Sequence, residues 1–402
     1  MRLLLGDGSS LTARQVATQA AAAGHRVEVL SASRIGLACL TGAVDRVHRV
    51  PAFGQQPRAW LDTVLAVLRR GGHDVLVPTQ EHVALLSREA PRIRALGVGL
   101  AVPPFEALMR VQDKVAQAAT VDALGLPAPQ TSVVWSANEL VGVARLPVFV
   151  KEAIGTASRG VRRLDRPESL RELAFELDAR RAFVDGVVVQ EPADGRLCMV
   201  QAVFGLGKLV AWHACVRARE GLDGGASVKR SVGGEGIEQI LTELGGALGW
   251  HGALSLDVIL TAAGPRLIDV NPRLVEPGNA WRAGIDLVDA LLRVACGASV
   301  GTGGPGAPGV VTYQLLLALF AAAGDGGRRA VASELVMRAR RLGPYAHGEE
   351  ELTPWRGDPL AAVPLLAAAA AGLIAPGAAT GLAAGAVNAY AMTSATWRWI
   401  AG

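Results

Sequence analysis

Short apolar runs punctuated by glycine open the chain and read as alternating strand and helix. Residues 2–5 read as a buried strand, Gly6-Asp7-Gly8-Ser9-Ser10 as a tight turn, 11–23 as a helix stopped by Gly24, and 27–30 as a second strand. This strand–helix–strand order begins a doubly wound parallel sheet. Residues 60–70 continue it as a helix and 73–78 as a strand, whose C-terminal end carries Thr79, Gln80 and Glu81 where open sheets of this kind take ligands. Near Pro103-Pro104 the pattern changes: 105–124 reads as helical, 125–129 as a rigid linker, and 131–135, 146–151 and 187–191 as strands. From Cys198 onward the alternation is that of antiparallel strands bearing His213, Arg217 and Arg219. Residues 221–236 are glycine-rich and read as a flexible lid, 236–249 and 285–295 as helices, 297–309 as a linker, and the remainder as a helical tail.

Two stretches carry candidate chemistry. In the first, two apolar runs, 255–260 and 267–271, flank the turn-rich 261–265 and read as a hairpin that sets Asp257 beside Asp269, with Asn271 on the same face as Asp269. Carboxylates on apolar strands carry a desolvation cost that a divalent cation offsets, and an all-oxygen set suits magnesium; two aspartates facing solvent are the plain alternative. In the second, Lys151 ends a strand and is followed by a loop of glycines and hydroxyls, 152–161, in which backbone N–H groups can approach phosphate oxygens. Neither the GxxxxGK[ST] loop nor the full GxGxxG fingerprint is present, since Gly6 and Gly8 match only the beginning of the latter.

Composition narrows the classes. A chain of 402 residues that is 50% hydrophobic is long enough for two or three domains with substantial cores. The formal charge of +4 is spread without a long basic run, which gives no reason to expect nucleic acid. Cys39, Cys198, Cys215 and Cys296 lie far apart with no CxxC pair, as expected of free thiols. The opening apolar run is too short for a signal core, and Pro364 and Pro376 interrupt the Ala-rich 359–390, so a cytoplasmic protein without membrane contact is expected.

Taken in order, Lys114, Lys151 with its Gly/Ser loop, the strand end at Gln190-Glu191, and the Asp269-Val-Asn-Pro-Arg273 run together with Asp257 resemble the ATP-grasp superfamily of ligases. Within it the chain is most similar to the carbamoyl-phosphate-synthase-like and carboxylate–amine ligase branch, over residues 1 to about 295. The resemblance implies a mixed α/β and α+β fold. A doubly wound, Rossmann-like N-terminal domain (1–103) would precede a two-lobed ATP-grasp fold, with its small lobe over 104–185 and its large lobe over 186–300, and a helical Ala-rich region (301–402) would follow.

It further implies ATP and two magnesium ions as cofactors. Lys114 and Lys151 would bind the phosphates, with the loop through Gly155, Ser158 and Gly160 folded over them. Adenine would lie at Gln190, Glu191 and Ala193, the backbone pair being the Glu191 carbonyl and the Ala193 N–H because Pro192 has none to give; Asp194 would meet the ribose. Asp257, Asp269 and Asn271 would hold the metal, although the family usually has glutamate at one or both acid positions. Arg273 would face the transferred phosphoryl group, and Arg217 is the second catalytic candidate because its fixed fork suits a carboxylate or acyl phosphate. His213, Arg219, Lys229, Arg230, Glu276 and Asn279 are candidates for orienting substrate. The implied activity is amide formation between a small carboxylate and an amine through an acyl phosphate. The alternatives are a bicarbonate-activating enzyme and a nucleotide-binding regulatory protein without turnover. The apolar tail offers a homodimer surface.

Overall fold

The computed structural model of the chain describes residues 1–143, 145–155, 159–298, 301–354 and 357–402. Three sheets organise it. The first is parallel, with β1 (Arg2–Leu5), β2 (Arg26–Ser31), β3 (Arg46–Arg49) and β4 (Val75–Val77) in the order β3-β2-β1-β4. Strands β1, β2 and β4 bury apolar residues on both faces: Leu4, Leu30 and Leu76 pack with Trp60, Val64 and Leu65 of the helix Pro57–Arg69, while Leu3, Leu5, Val27 and Val29 pack with Val16 and Ala17 of the helix Leu11–Ala22. Helices on both faces are what a doubly wound sheet requires. Glu28, buried in β2, is held by Arg2 at 2.6 Å and by His48 and His73 at 2.5 and 3.1 Å, so its charge is satisfied within the sheet.

The second sheet is antiparallel, with β5 (Thr131–Val134), β6 (Val148–Glu152), β7 (Val161–Leu164) and β8 (Val187–Gln190) in the order β5-β8-β6-β7. Because β8 pairs here, this sheet runs past the division expected at residue 185. Val148, Val150, Val187 and Val189 pack against Leu170, Leu173 and Leu177 of the helix Pro167–Ala179. The strand period of two then turns Lys151 and Gln190 to the opposite face.

The third sheet has seven strands: β9 (Arg196–Gly205), β10 (Lys208–Glu220), β11 (Ala226–Ser231), β12 (Gly252–Thr261), β13 (Gly264–Asn271), β14 (Val311–Tyr313) and β15 (Glu349–Glu350). Cys198, Val200, Ala202, Leu254, Leu256 and Leu267 bury one face under Ile240, Leu241 and Leu244 of the helix Ile237–Leu248. On the other face Val203, Ala211 and Ala253 join the core of the first sheet, while Asp269 on β13 meets Lys114 beside the second sheet.

Three expectations change. Residues 226–231 are not part of a flexible lid: they form β11, a strand bonded to β10 on one side and β14 on the other. The tail is also not helical throughout, since Val311–Tyr313 and Glu349–Glu350 add two strands to the third sheet. The helical stretch at 105–124 is broken into Phe105–Met109 and Lys114–Ala123, because Asp113 accepts from Ala116 N at 2.7 Å and starts a new helix with Lys114 in its first position. No helix of the described residues is long and apolar enough to cross a membrane, and all four cysteines are free.

Candidate functional site

The free faces of the second and third sheets meet over one cluster of charge. Asp257 on β12 and Asp269 on β13 are direct cross-strand partners, and Asn271 pairs with Ser255 two residues along, so their side chains share a face. Lys114 reaches from its helix start to donate to Asp269 Oδ1 at 2.6 Å, while its backbone N–H is tied to Ala153 O at 2.9 Å. Lys151, buried on β6, donates to Gln190 Oε1 at 2.8 Å and to Ile268 O at 2.7 Å, which links the two sheets directly. Burial lowers the Lys151 ammonium to about 8 against the pull of Asp269. Burial and the adjacent Asp269 raise Asp257 to about 6, and Asp269, despite burial, is held down by Lys114 and Lys151.

Arg273 follows on the same hairpin end. Its Nε donates to Glu81 Oε1 at 3.2 Å, so the expected ligand end of the first sheet touches the charged cluster. Gln112 donates to the other Glu81 oxygen at 3.4 Å. The loop after β6 is drawn tight: Glu152 N donates to Gly160 O at 2.8 Å, and a Cβ at Gly155 would stand 2.1 Å from Arg159 O, a close approach that only glycine allows. Ser158 lies outside the described residues.

Two spaces open between the second and third sheets, one of them at the cluster. One, of about 20 Å³, lies between Lys114, Gly155, Asn271, Glu81 and Met392. The larger, of about 520 Å³, is bordered by Gln130, Glu191, Pro192, Ala193, Asp194 and the β12–β13 turn at Thr261. It is not at the carboxylates. Four residues along β12 from Asp257 place Thr261 about 14 Å away, at roughly 3.4 Å per residue. Glu191 N is taken by Gln130 O at 2.9 Å.

The remaining candidates are placed elsewhere. Arg217 donates to Gly224 O at 2.6 Å and pairs with Glu220 at 3.2 Å. Arg219 is bound to Glu334 at 2.7 Å and to the Tyr345 hydroxyl at 2.9 Å, an anchor for the C-terminal helices. Arg230 is exposed on β11. Buried His213, its basicity lowered by burial, bridges Pro305 O and Asn279 Oδ1, both at 2.8 Å, and Asn279 donates to Thr312 at 2.7 Å. Lys229 is 2% exposed and pairs with Glu276 at 2.7 Å and Glu351 at 2.8 Å. Sequence reasoning missed Glu351, Gln112 and Met392; the acidic run Glu349-Glu350-Glu351 in the tail was the one visible signal.

Three hard oxygen donors on one face, opposed by two ammonium groups, fit a divalent cation and its polyphosphate partner. The closely set carboxylates repel one another, and a cation between them would remove that repulsion.

No protein-family model matches the chain, and no curated protein matches it. Solved structures do. A biotin carboxylase from Campylobacter jejuni, in complex with β-γ-ATP, is 16% identical, with 74% of this chain and 71% of that one covered and a TM-score of 0.62. An N5-carboxyaminoimidazole ribonucleotide synthetase from Thermus thermophilus is 21% identical over 77% of this chain and 81% of that one, with a TM-score of 0.57. An L-amino acid ligase from Bacillus licheniformis is 18% identical over 73% and 74%, with a TM-score of 0.56. All three are ATP-grasp ligases, and with its parallel first sheet and its two facing, largely antiparallel sheets this chain is similar to them in fold.

Proposed function

We propose that the protein is an ATP-dependent ligase that activates a small carboxylate as an acyl phosphate and passes the acyl group to an amine, releasing ADP and phosphate. The observation that carries this reading is the meeting of Lys114, Lys151, Asp257, Asp269 and Asn271 between the facing sheets. Asp257, Asp269 and Asn271 would hold magnesium, which supplies charge neutralisation to the transferring phosphoryl group. Lys114 and Lys151 would bind phosphate oxygens from the opposite side, and the backbone between Gly155 and Gly160 would cover them. The larger cavity beside Glu191–Asp194 would take the base and sugar. Arg273, fixed by Glu81, would orient the substrate carboxylate. Arg217, turned toward Gly224, would need to change partners to take part. The domain division follows the sheets: a parallel N-terminal domain, a small lobe to Gln190, and a large lobe that includes β14 and β15.

A bicarbonate-activating reaction is the second reading. It is favoured by the carboxylases among the neighbours, one of which holds MgADP and bicarbonate. Phosphate release from MgATP with pooled carboxylic acids, with and without amino acids, and with bicarbonate alone separates the two. Release that needs both an acid and an amine supports amide formation; release with bicarbonate alone selects the second; none with any pool, despite MgATP binding, removes both.

Lys151 gives the site a pH signature. Its charged form binds phosphate, and its free-state value is about 8. Above that pH, binding requires proton uptake, so the nucleotide Kd should rise by up to about tenfold per pH unit. Titration between pH 7 and 9.5 checks this, and Lys151→Arg, which stays charged, should flatten the curve. A flat wild-type curve would remove Lys151 from the phosphates.

A further inference from the structure

The end of the chain returns to the charged cluster. Residues 388–393 lead into the helix Ser394–Ala401, which is capped by Thr393 Oγ1 accepting from Thr396 N at 3.1 Å. This segment is tied down on several sides. Thr396 Oγ1 donates to Gly54 O at 2.8 Å, Arg88 donates to the Ile400 carbonyl, and Arg159 of the glycine-rich loop donates to Asn388 Oδ1 at 2.6 Å. Burial raises the Asp113 carboxyl and the Trp397 indole lowers it, and Asp113 is the residue that starts the Lys114 helix. Met392, Trp397 and Ile400 are buried in the same apolar core as Phe53 and Trp60. The backbone passes so close to Gly54 that a Cβ there would stand 2.1 Å from Ala391 O.

The inner side of this strap occupies the site. Met392 lines the small space with Lys114, Asn271 and Gly155, and what remains is about 20 Å³. That is roughly room for one water, whereas small-molecule sites span about 300–1,000 Å³. Tyr390, two residues earlier on the same strap, is 9% exposed, and burial pushes its hydroxyl up, with the charge of Asp7 adding to that and Arg273 opposing it.

We propose that residues 388–400 are a strap that fills the phosphoryl-transfer chamber, that substrates must displace it, and that Met392 and Tyr390 thereby select which acids enter. This rests on the nucleotide reading given above. A binding-competent state with the strap withdrawn is only a fraction of the population, and the apparent Kd is the intrinsic one divided by that fraction. Changes that loosen the strap should therefore tighten binding.

Two variants test this in the full chain. Met392→Ala removes the plug; Gly54→Ala works from outside the chamber by pushing the Ala391 carbonyl away, and it keeps the test alive if Met392→Ala disturbs the core. MgATP binding is read by calorimetry, with thermal melting beside it. In folded protein, each variant is expected to bind MgATP about fivefold tighter or more. Met392→Ala should also lower KM for bulkier acids more than it changes kcat. Equal MgATP affinity in wild type and both variants would overturn the strap while leaving the nucleotide reading intact. Binding by neither wild type nor variants would overturn the nucleotide reading, and the strap's role with it.

Discussion

Asp269→Asn is expected to lower ATP-dependent phosphate release by about 10³-fold while leaving the fold intact. Asparagine keeps the size of the side chain and one oxygen, but it removes the charge that faces Lys114 at 2.6 Å and stands across from Asp257. Magnesium would then be held by one carboxylate and neutral oxygens, and the Lys114 ammonium would lose its counter-charge. Turnover and circular dichroism should be measured on the same preparation. Lost turnover with an unchanged spectrum is the expected pair. Turnover within about twofold of wild type would place the transferring phosphoryl group away from the β12–β13 hairpin.

Lys229→Met is expected to act on stability instead. The Lys229 ammonium, though burial works against it, is held charged by Glu276 and Glu351, and Glu351 also accepts from Gln314 at 2.7 Å. Removing it leaves two carboxylates without their cation, one of them with a fully buried side chain. Breaking a buried pair in this way costs about 3–5 kcal/mol, so for a chain of this length the melting temperature should fall by roughly 4–6 °C. Arg230→Met, one residue along and exposed, should change stability by less than about 0.5 kcal/mol. If Lys229 touches substrate instead, the melting temperature will hold and KM will rise.

What could be read in advance follows from how local each signal is. The β12–β13 hairpin was legible because two apolar runs flank a turn-rich gap and carry their acids at matching distances from it. The pairing of Lys151 with Gln190 and Ile268 joins residues 39 and 117 positions away, yet each end sat on a recognisable strand. Strand β11 was hidden for the opposite reason: glycines flank it, two of its six residues are basic, and its partner Val311–Tyr313 lies some eighty residues further on. Its burial comes from those partners, which a local pattern does not contain. The same holds for Arg217 and Arg219, whose guanidinium groups were read as substrate ligands and are engaged by Gly224 and Glu334. The strap was hidden because its contacts with Gly54 and Arg88 span more than 300 residues.

That span has a consequence for how the protein is made. Phe53, Trp60 and Leu65 belong to a core that Met392, Trp397 and Ile400 complete. On the ribosome, synthesis at about 5–20 residues per second would hold that apolar surface uncovered for tens of seconds while the two antiparallel sheets emerge. This unit thus leaves the tunnel before the two sheets that follow it and closes only after them, and its nascent form is where chaperones should find these residues most exposed.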